Sequence, residues 1–344
     1  MQNYKIINKN NLINNVNICQ KYCKNICVML KAEGYGHGIN NILNLLKNNI
    51  KYFGVANKEE ALKVRKFCKT CKIIVVGKTN SYVELIKNNI SITIDCLDEL
   101  ITILNVCKKL NMPANVHVAV NTGMNRIGVK TLLEFKDILK FIDENNFIIL
   151  EGVFTHCFDA DKLQSNFYNQ MHKFYCFVKE LKDKKILIHI GGSFVLKHKI
   201  PNFVNMVRIG FFIYGYGMAK LKPVMSIQSK IIKIINAKKG EYIGYGTHKL
   251  KSDAIIATIP IGYADGLTRQ ASNKYFVEIK HQKCPIIGSI CMDMCMVDIS
   301  KIACKVGDRV NVFNNALCLA KCIKTSPYEI LTNFQKLRGK CLIV

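Results

Sequence analysis

Over the first two-thirds of the chain, short apolar runs alternate with amphipathic stretches, and this repeat limits the fold more than any single motif. The apolar runs fall at residues 26–30, 52–55, 73–76, 92–94, 116–120, 148–154, 186–190 and 206–209. Strands buried on both faces read as continuous apolar runs of this kind. Between or after them, residues 39–46, 59–67, 98–110, 132–142 and 166–181 carry apolar side chains at helical spacing. About eight strands alternating with helices predict a (β/α)8 TIM barrel. A doubly wound open sheet is the alternative, but it needs fewer repeats. After Pro223 the texture changes to β-like runs at 225–235, 254–259, 276–280, 286–290, 296–299 and 309–313, with turn signals at Lys239-Gly240 and Gly307-Asp308. The expectation is an α/β chain with a TIM barrel over residues 1–220 and a C-terminal, mostly β domain over residues 221–344.

Charge and cysteine usage narrow the class. Fifty basic residues against 24 acidic ones give a formal charge of +26. The lysines are spread over the whole chain, with no arginine-rich tract and no basic-aromatic alternation, so nucleic acid is not an expected partner. No apolar run is long enough to span a bilayer, and the start of the chain lacks the apolar stretch of a signal peptide. Sixteen scattered cysteines then suggest free thiols in a reducing cytoplasm. Of the pairs Cys23/Cys27, Cys68/Cys71, Cys291/Cys295 and Cys318/Cys322, only Cys68/Cys71 has knuckle spacing. No second knuckle or histidine pair completes a zinc site, and no metal is expected.

The first apolar run ends at Lys31, followed by Ala32-Glu33-Gly34-Tyr35-Gly36-His37-Gly38. A lysine at a strand tip either reaches solvent as a cap or, when desolvated, loses its proton and attacks carbonyls. Barrel chemistry sits at the carboxyl ends of strands. The same rim receives Arg126 after strand five, His156 after strand six, Ser193 in Gly191-Gly192-Ser193 after strand seven, and Arg208 with Gly210 at strand eight. Taken one at a time, each has a structural reading as a cap, core histidine or plain turn. Together they supply a lysine for an aldimine, a phosphate cradle of small residues after strands seven and eight, and a polar partner for a ring nitrogen. Pyridoxal phosphate requires that set.

These segments, with Thr122-Gly123-Met124-Asn125-Arg126-Ile127-Gly128, Val207-Arg208-Ile209-Gly210, Ile243-Gly244-Tyr245-Gly246, Ile261-Gly262-Tyr263-Ala264-Asp265-Gly266, Cys291-Met292-Asp293 and Tyr328-Glu329-Ile330-Leu331, occur in one order along the chain. In that order they resemble the alanine racemases, fold-type III pyridoxal-phosphate enzymes, over nearly the whole length. The resemblance implies that Lys31 holds the cofactor and acts as the base on the D-face. It implies that Tyr245, from the partner subunit of a homodimer, acts on the L-face. Tyr35, Ser193, Gly210 and Tyr328 are then phosphate contacts, and Arg208 donates to the pyridine nitrogen. Arg126 contacts the cofactor's phenolic oxygen and the substrate carboxylate, while Met292 offers a backbone N–H near that carboxylate. Tyr263 lines the entrance, and His156 lies between Arg208 and Tyr245. The implied product is D-alanine for peptidoglycan. Removing and returning a proton on opposite faces of one carbon requires two bases, and free lysine and tyrosine titrate at about 10 or above, so both need depressed values.

Departures from the family pattern are specific. Ala119 stands where many relatives carry a carbamylated lysine that braces the arginine, and Asn121 replaces an acid. Gly192 stands where asparagine is common, and Glu33 and Gly34 replace the usual residues after the lysine loop's alanine. A broad-specificity amino-acid racemase is the nearest alternative. A fold-type III decarboxylase would carry glutamate near the ring nitrogen, where Arg208 stands, and a pyridoxal-phosphate carrier would lack the second domain.

Overall fold

The computed structural model describes residues 3–162, 166–181, 185–246 and 248–344. It divides into two compact units, Ile13–Gly34 with Ile39–Leu221, and Met1–Leu12 and Tyr35–Gly38 with Lys222–Val344. The strands are β1 (Tyr4–Ile7), β2 (Ile26–Met29), β3 (Tyr52–Val55), β4 (Lys72–Val75), β5 (Ser91–Ile94), β6 (Ala114–Ala119), β7 (Ile148–His156), β8 (Leu187–Gly191) and β9 (Met206–Ile209). They continue with β10 (Met225–Lys230), β11 (Lys233–Ala237), β12 (Ala254–Ile259), β13 (Phe276–Ile279), β14 (Gln282–Ile287), β15 (Cys295–Asp298), β16 (Arg309–Phe313) and β17 (Lys340–Ile343).

In the first unit β2 to β9 form a closed parallel barrel, sealed by β2 pairing with β9 through Val28 and Ile209. Every residue of β2, β5 and β9 is buried, as expected of strands covered on both faces. Local sequence sets the helix ends. Asn57 caps Lys58–Phe67, whose first turn is acidic and last turn basic, in accord with the helix dipole. Thr131 and Glu134 form a capping box on Leu132–Asp143. Asn111, at φ 50°, ends Leu97–Leu110 in the left-handed conformation that asparagine tolerates. The helix Tyr82–Lys87 is too short to be read from periodicity.

The second unit is a nine-stranded sheet in the order β11-β12-β15-β14-β13-β16-β10-β1-β17. The apolar run at 225–235 is two strands rather than one. At Ile231 and Ile232 the backbone leaves one set of partners for another: Ile231 N–H donates to Asp308 O (3.0 Å) and Ile232 N–H to Thr258 O (2.9 Å). The amino-terminal residues also differ from the division at 220. β1 pairs with β10 and β17, so Tyr4 faces both Gln228 and Lys340, and these residues join the sheet unit rather than the barrel. Four residues with one lysine give no strand signal on their own. Buried Asp265 takes a two-point bond from Arg338, Nε and Nη2 each at 2.9 Å, which fixes the turn Tyr263–Asp265 to the chain before β17. Among the described residues no helix is long and apolar enough to cross a membrane.

Candidate active site

Lys31 follows β2 in a turn with unusual backbone. Ala32, Glu33 and Gly34 are all left-handed, at φ 51°, 53° and 59°. Two of these are not glycine, and each such residue costs about 1–2 kcal/mol, so surrounding bonds must hold the turn. Glu60 is the principal clamp: Oε1 accepts from Ala32 N–H (2.7 Å) and Oε2 from Ala56 N–H (2.8 Å). Glu33 accepts from Lys63 Nζ (2.6 Å) and Ile39 N–H (3.3 Å). Burial, followed by the positive charges of Arg126 and Arg208, holds the Lys31 amine below its ordinary value, with Glu60 opposing. A neutral amine is the nucleophilic form.

Arg208, in β9, is buried. Its Nη2 donates to Thr155 O (2.9 Å), and its guanidinium lies over the Phe154 ring at 4.4 Å. Gly191 makes room for it. A Cβ at that residue would stand 2.2 Å from Arg208 Nη2 and 2.4 Å from His156 Nδ1. His156 closes β7 with Nδ1 3.5 Å from Arg208 Nη2. Burial and the charges of Arg208, Arg126 and Lys31 push it down to about 3, so the ring is neutral at pH 7. Beyond β8, Ser193 Oγ accepts from Gly210 N–H (3.2 Å) and Phe212 N–H (3.4 Å), which brings the two expected phosphate contacts together.

Behind Arg208 a line of hydrogen bonds crosses the barrel interior. Arg208 Nη1 meets His189 Nδ1 (2.8 Å), His189 Nε2 meets His117 Nδ1 (2.9 Å), and His117 Nε2 meets Glu151 Oε2 (3.3 Å). Arginine only donates, so each imidazole accepts at Nδ1 and donates from Nε2–H, and one tautomer runs through the line. Burial keeps both histidines below their ordinary value and therefore neutral. Burial opposes ionisation of Glu151, but bonds from His117, Lys72 and Ser91 outweigh it and lower the carboxyl to about 2. A fixed cation and a fixed anion thus end the line.

The sheet unit carries the other expected residues. Tyr35 is buried with its ring 5.8 Å from that of Tyr328, and burial raises its phenol. Tyr245 is 71 % exposed. Gly244 before it sits at φ 65°, where a Cβ would strike Met296 Cε at 2.4 Å. Tyr263 N–H donates to Cys291 O (3.1 Å) and Ala264 N–H to Met292 O (3.0 Å), so the Tyr263 and Met292 segments are stitched together.

Residues 7–217 match the family model described as alanine racemase, N-terminal domain, and residues 224–340 match alanine racemase, C-terminal domain. The chain belongs to the alanine racemase family. An alanine racemase of Borreliella burgdorferi is 35 % identical, the match covering 96 % of this chain and 94 % of that protein. The solved alanine racemase of Clostridium difficile 630 is 32 % identical with a TM-score of 0.94, covering 100 % of this chain and 96 % of that one. The same protein in complex with cycloserine is 31 % identical with a TM-score of 0.88, over 97 % and 93 % of the two chains.

The loop around Arg126 is held through Asn121. Asn121 Oδ1 accepts from Gly123 N–H (3.0 Å) and Asn125 N–H (3.1 Å), and its Nδ2 donates to Asn125 Oδ1 (3.1 Å). Asn121 therefore braces the loop backbone. Among the described residues no side chain or carbonyl bonds the guanidinium of Arg126, and Ala119 is buried in β6. Glu60, His117, Glu151 and His189 were not legible as site residues. Glu60 looks like an ordinary acid in a helix's first turn, and the two histidines sit inside apolar strands. A histidine at matching depth in two strands was the only available signal.

Proposed function

We propose that the chain interconverts L- and D-alanine by two-base racemisation with pyridoxal phosphate, supplying D-alanine for peptidoglycan. The observation that carries this reading is Lys31: a strand-end lysine, depressed by burial and two guanidinium groups, on the rim that also bears Ser193 and Gly210. The residues present fit the cofactor. Lys31 supplies the amine for its aldehyde, Ser193, Gly210, Tyr35 and Tyr328 its phosphate contacts, and Arg208 a permanent donor for its ring nitrogen. When bound, pyridoxal phosphate stabilises the negative charge left on the substrate Cα as its proton departs. Lys31 takes or returns that proton on one face. Tyr245 does so on the other, and Arg126 and the Met292 N–H hold the carboxylate. His156 stays neutral beside Arg208 and adds no competing charge.

Tyr245 stands 71 % exposed and so is open to a second subunit, which supports a homodimer in which it completes the partner's site. Sixteen unbridged thiols suit a reducing cytoplasm. Borohydride reduction of the loaded enzyme should tether the cofactor to Lys31 alone. Lys31→Ala should lose the tether and alanine interconversion together; retention of both would end the proposal. Tyr245→Phe should retain the cofactor and lose exchange of the L-alanine α-proton. Mixing the two inactive variants should restore activity, and no recovery would exclude shared sites.

A further inference from the structure

Racemisation does not use a second group of reactive side chains in the barrel unit. Cys68 and Cys71 lie in the turn between the helix Lys58–Phe67 and β4. Cys71 N–H donates to Cys68 Sγ (3.2 Å), and Cys71 Sγ donates to Cys68 O (3.6 Å). Buried Arg65 holds this turn entirely through main-chain carbonyls. Its Nη1 donates to Cys68 O (3.1 Å), Lys69 O (2.9 Å) and Cys71 O (2.9 Å), while Nε and Nη2 reach Asn88 O (2.9 Å) and Asn89 O (2.8 Å).

Among the described residues no carboxylate pairs with Arg65. Its charge favours ionisation of the Cys71 thiol, but burial and the Cys68 contact outweigh it there. The two sulfurs are unequal. Burial opposes ionisation of Cys68, but bonds from the Cys71 thiol and N–H outweigh it and hold Cys68 below the ordinary thiol value. Burial and the Cys68 contact push Cys71 up to about 12. Cys68 is thus the more readily ionised sulfur, and Cys71 keeps its proton. No third metal-ligating side chain joins them among the described residues. Cys68 is 6 % exposed, and Lys69 and Thr70 beside it are exposed.

We propose that Cys68 and Cys71 form a redox-active dithiol, which a hydroperoxide oxidises to an intramolecular disulfide and a thiol reductant restores. The Cys68 thiolate attacks a peroxide oxygen and the O–O bond breaks. The sulfur becomes a sulfenic acid, and the leaving oxygen departs as hydroxide. The Cys71 sulfur then attacks Cys68, the S–O bond breaks, and the departing hydroxide takes the Cys71 proton as water. Each sulfur gives up one electron, and the peroxide accepts both. Two molecules of an external thiol return the electrons by exchange and leave as their own disulfide.

Trypsin cleaves after Lys66, Lys69 and Lys72, so the disulfide must cross-link peptide 67–69 to peptide 70–72. Purified holoenzyme treated with stoichiometric hydrogen peroxide, alkylated and digested should yield that cross-linked pair, and dithiothreitol should remove it. Cys68 should react at least about tenfold faster than exposed Cys96, Cys318 and Cys341. In Cys71→Ser, dimedone should trap a sulfenic acid on Cys68; in Cys68→Ser, Cys71 should stay unlabelled. Absence of the cross-linked pair, or oxidation of Cys68 no faster than the exposed thiols, overturns the proposal. The rate comparison uses the unmodified chain, so a serine variant that folds poorly leaves the test intact.

Discussion

Substituting Glu151 by Gln should measure how strongly the hydrogen-bonded line behind Arg208 stabilises the barrel. The carboxyl falls from 4.5 to about 2 because Lys72 (2.7 Å), His117 (3.3 Å) and Ser91 all donate to it. The side chain is only 14 % exposed, so solvent screens these bonds little. At 1.36 kcal/mol per unit, the shift corresponds to about 3 kcal/mol. The sign follows from linkage. A carboxyl with a depressed folded value stabilises fully above its unfolded value of 4.5, and that stability disappears as pH falls through about 2. Glu151→Gln should therefore cost about 3 kcal/mol at pH 7, about 2 kcal/mol at pH 3.5 and under about 1 kcal/mol at pH 2.5. Urea unfolding followed by far-ultraviolet circular dichroism, on both proteins across that range, gives the difference directly. A deficit that stays constant from pH 7 to pH 2.5 would show that the glutamate acts through shape. A deficit below about 0.5 kcal/mol at pH 7 would show that its bonds to Lys72 and His117 are not formed.

Three further outcomes follow from the site. In cofactor-free protein, Lys31 should undergo reductive methylation at a lower pH than exposed lysines, and Arg126→Ala should reduce that difference; a Lys31 profile matching exposed lysines counts against its depressed amine. Glu60→Gln should release the left-handed turn after Lys31, costing about 1–3 kcal/mol of stability and raising amide exchange at Ala32; unchanged exchange would mean another group holds the turn. Gly191→Ala forces a Cβ to 2.2 Å from Arg208 Nη2, so cofactor affinity should fall at least about tenfold, measured by titrating apo-protein absorbance; unchanged affinity would remove Arg208 from the cofactor site.

The barrel was legible because its strands are buried on both faces, which leaves uninterrupted apolar runs such as Ile73-Ile74-Val75. Lys31, Ser193 and Gly210 were legible because a strand-end position joins chemistry to topology. Glu60 was not, since only the folded turn shows that its carboxylate serves two backbone N–H groups on different loops. His117 and His189 have no sequence relation to each other, and only the parallel barrel brings Nδ1 of one to 2.9 Å from Nε2 of the other. The same reasoning explains the missed break at Ile231. A change of strand partner leaves the apolar pattern continuous and alters only where the N–H groups point.

The register of β1 with β17, Tyr4 opposite Lys340, has a consequence for the order of folding. β1 is synthesised before every other strand of its sheet, yet its neighbour β17 is synthesised after all of them. β10, its other neighbour, emerges only after the whole barrel has been synthesised. Every barrel strand has both partners available by Ile209, so the barrel can close while β1 still has an open edge. Loop closure between Tyr4 and Lys340 is the largest separation bridged by any strand pair among the described residues, and such pairings form slowly. Kinetically, the amino-terminal strand should be the last to gain protection, and the vacant edge beside β10 is where a nascent or destabilised chain would join another copy.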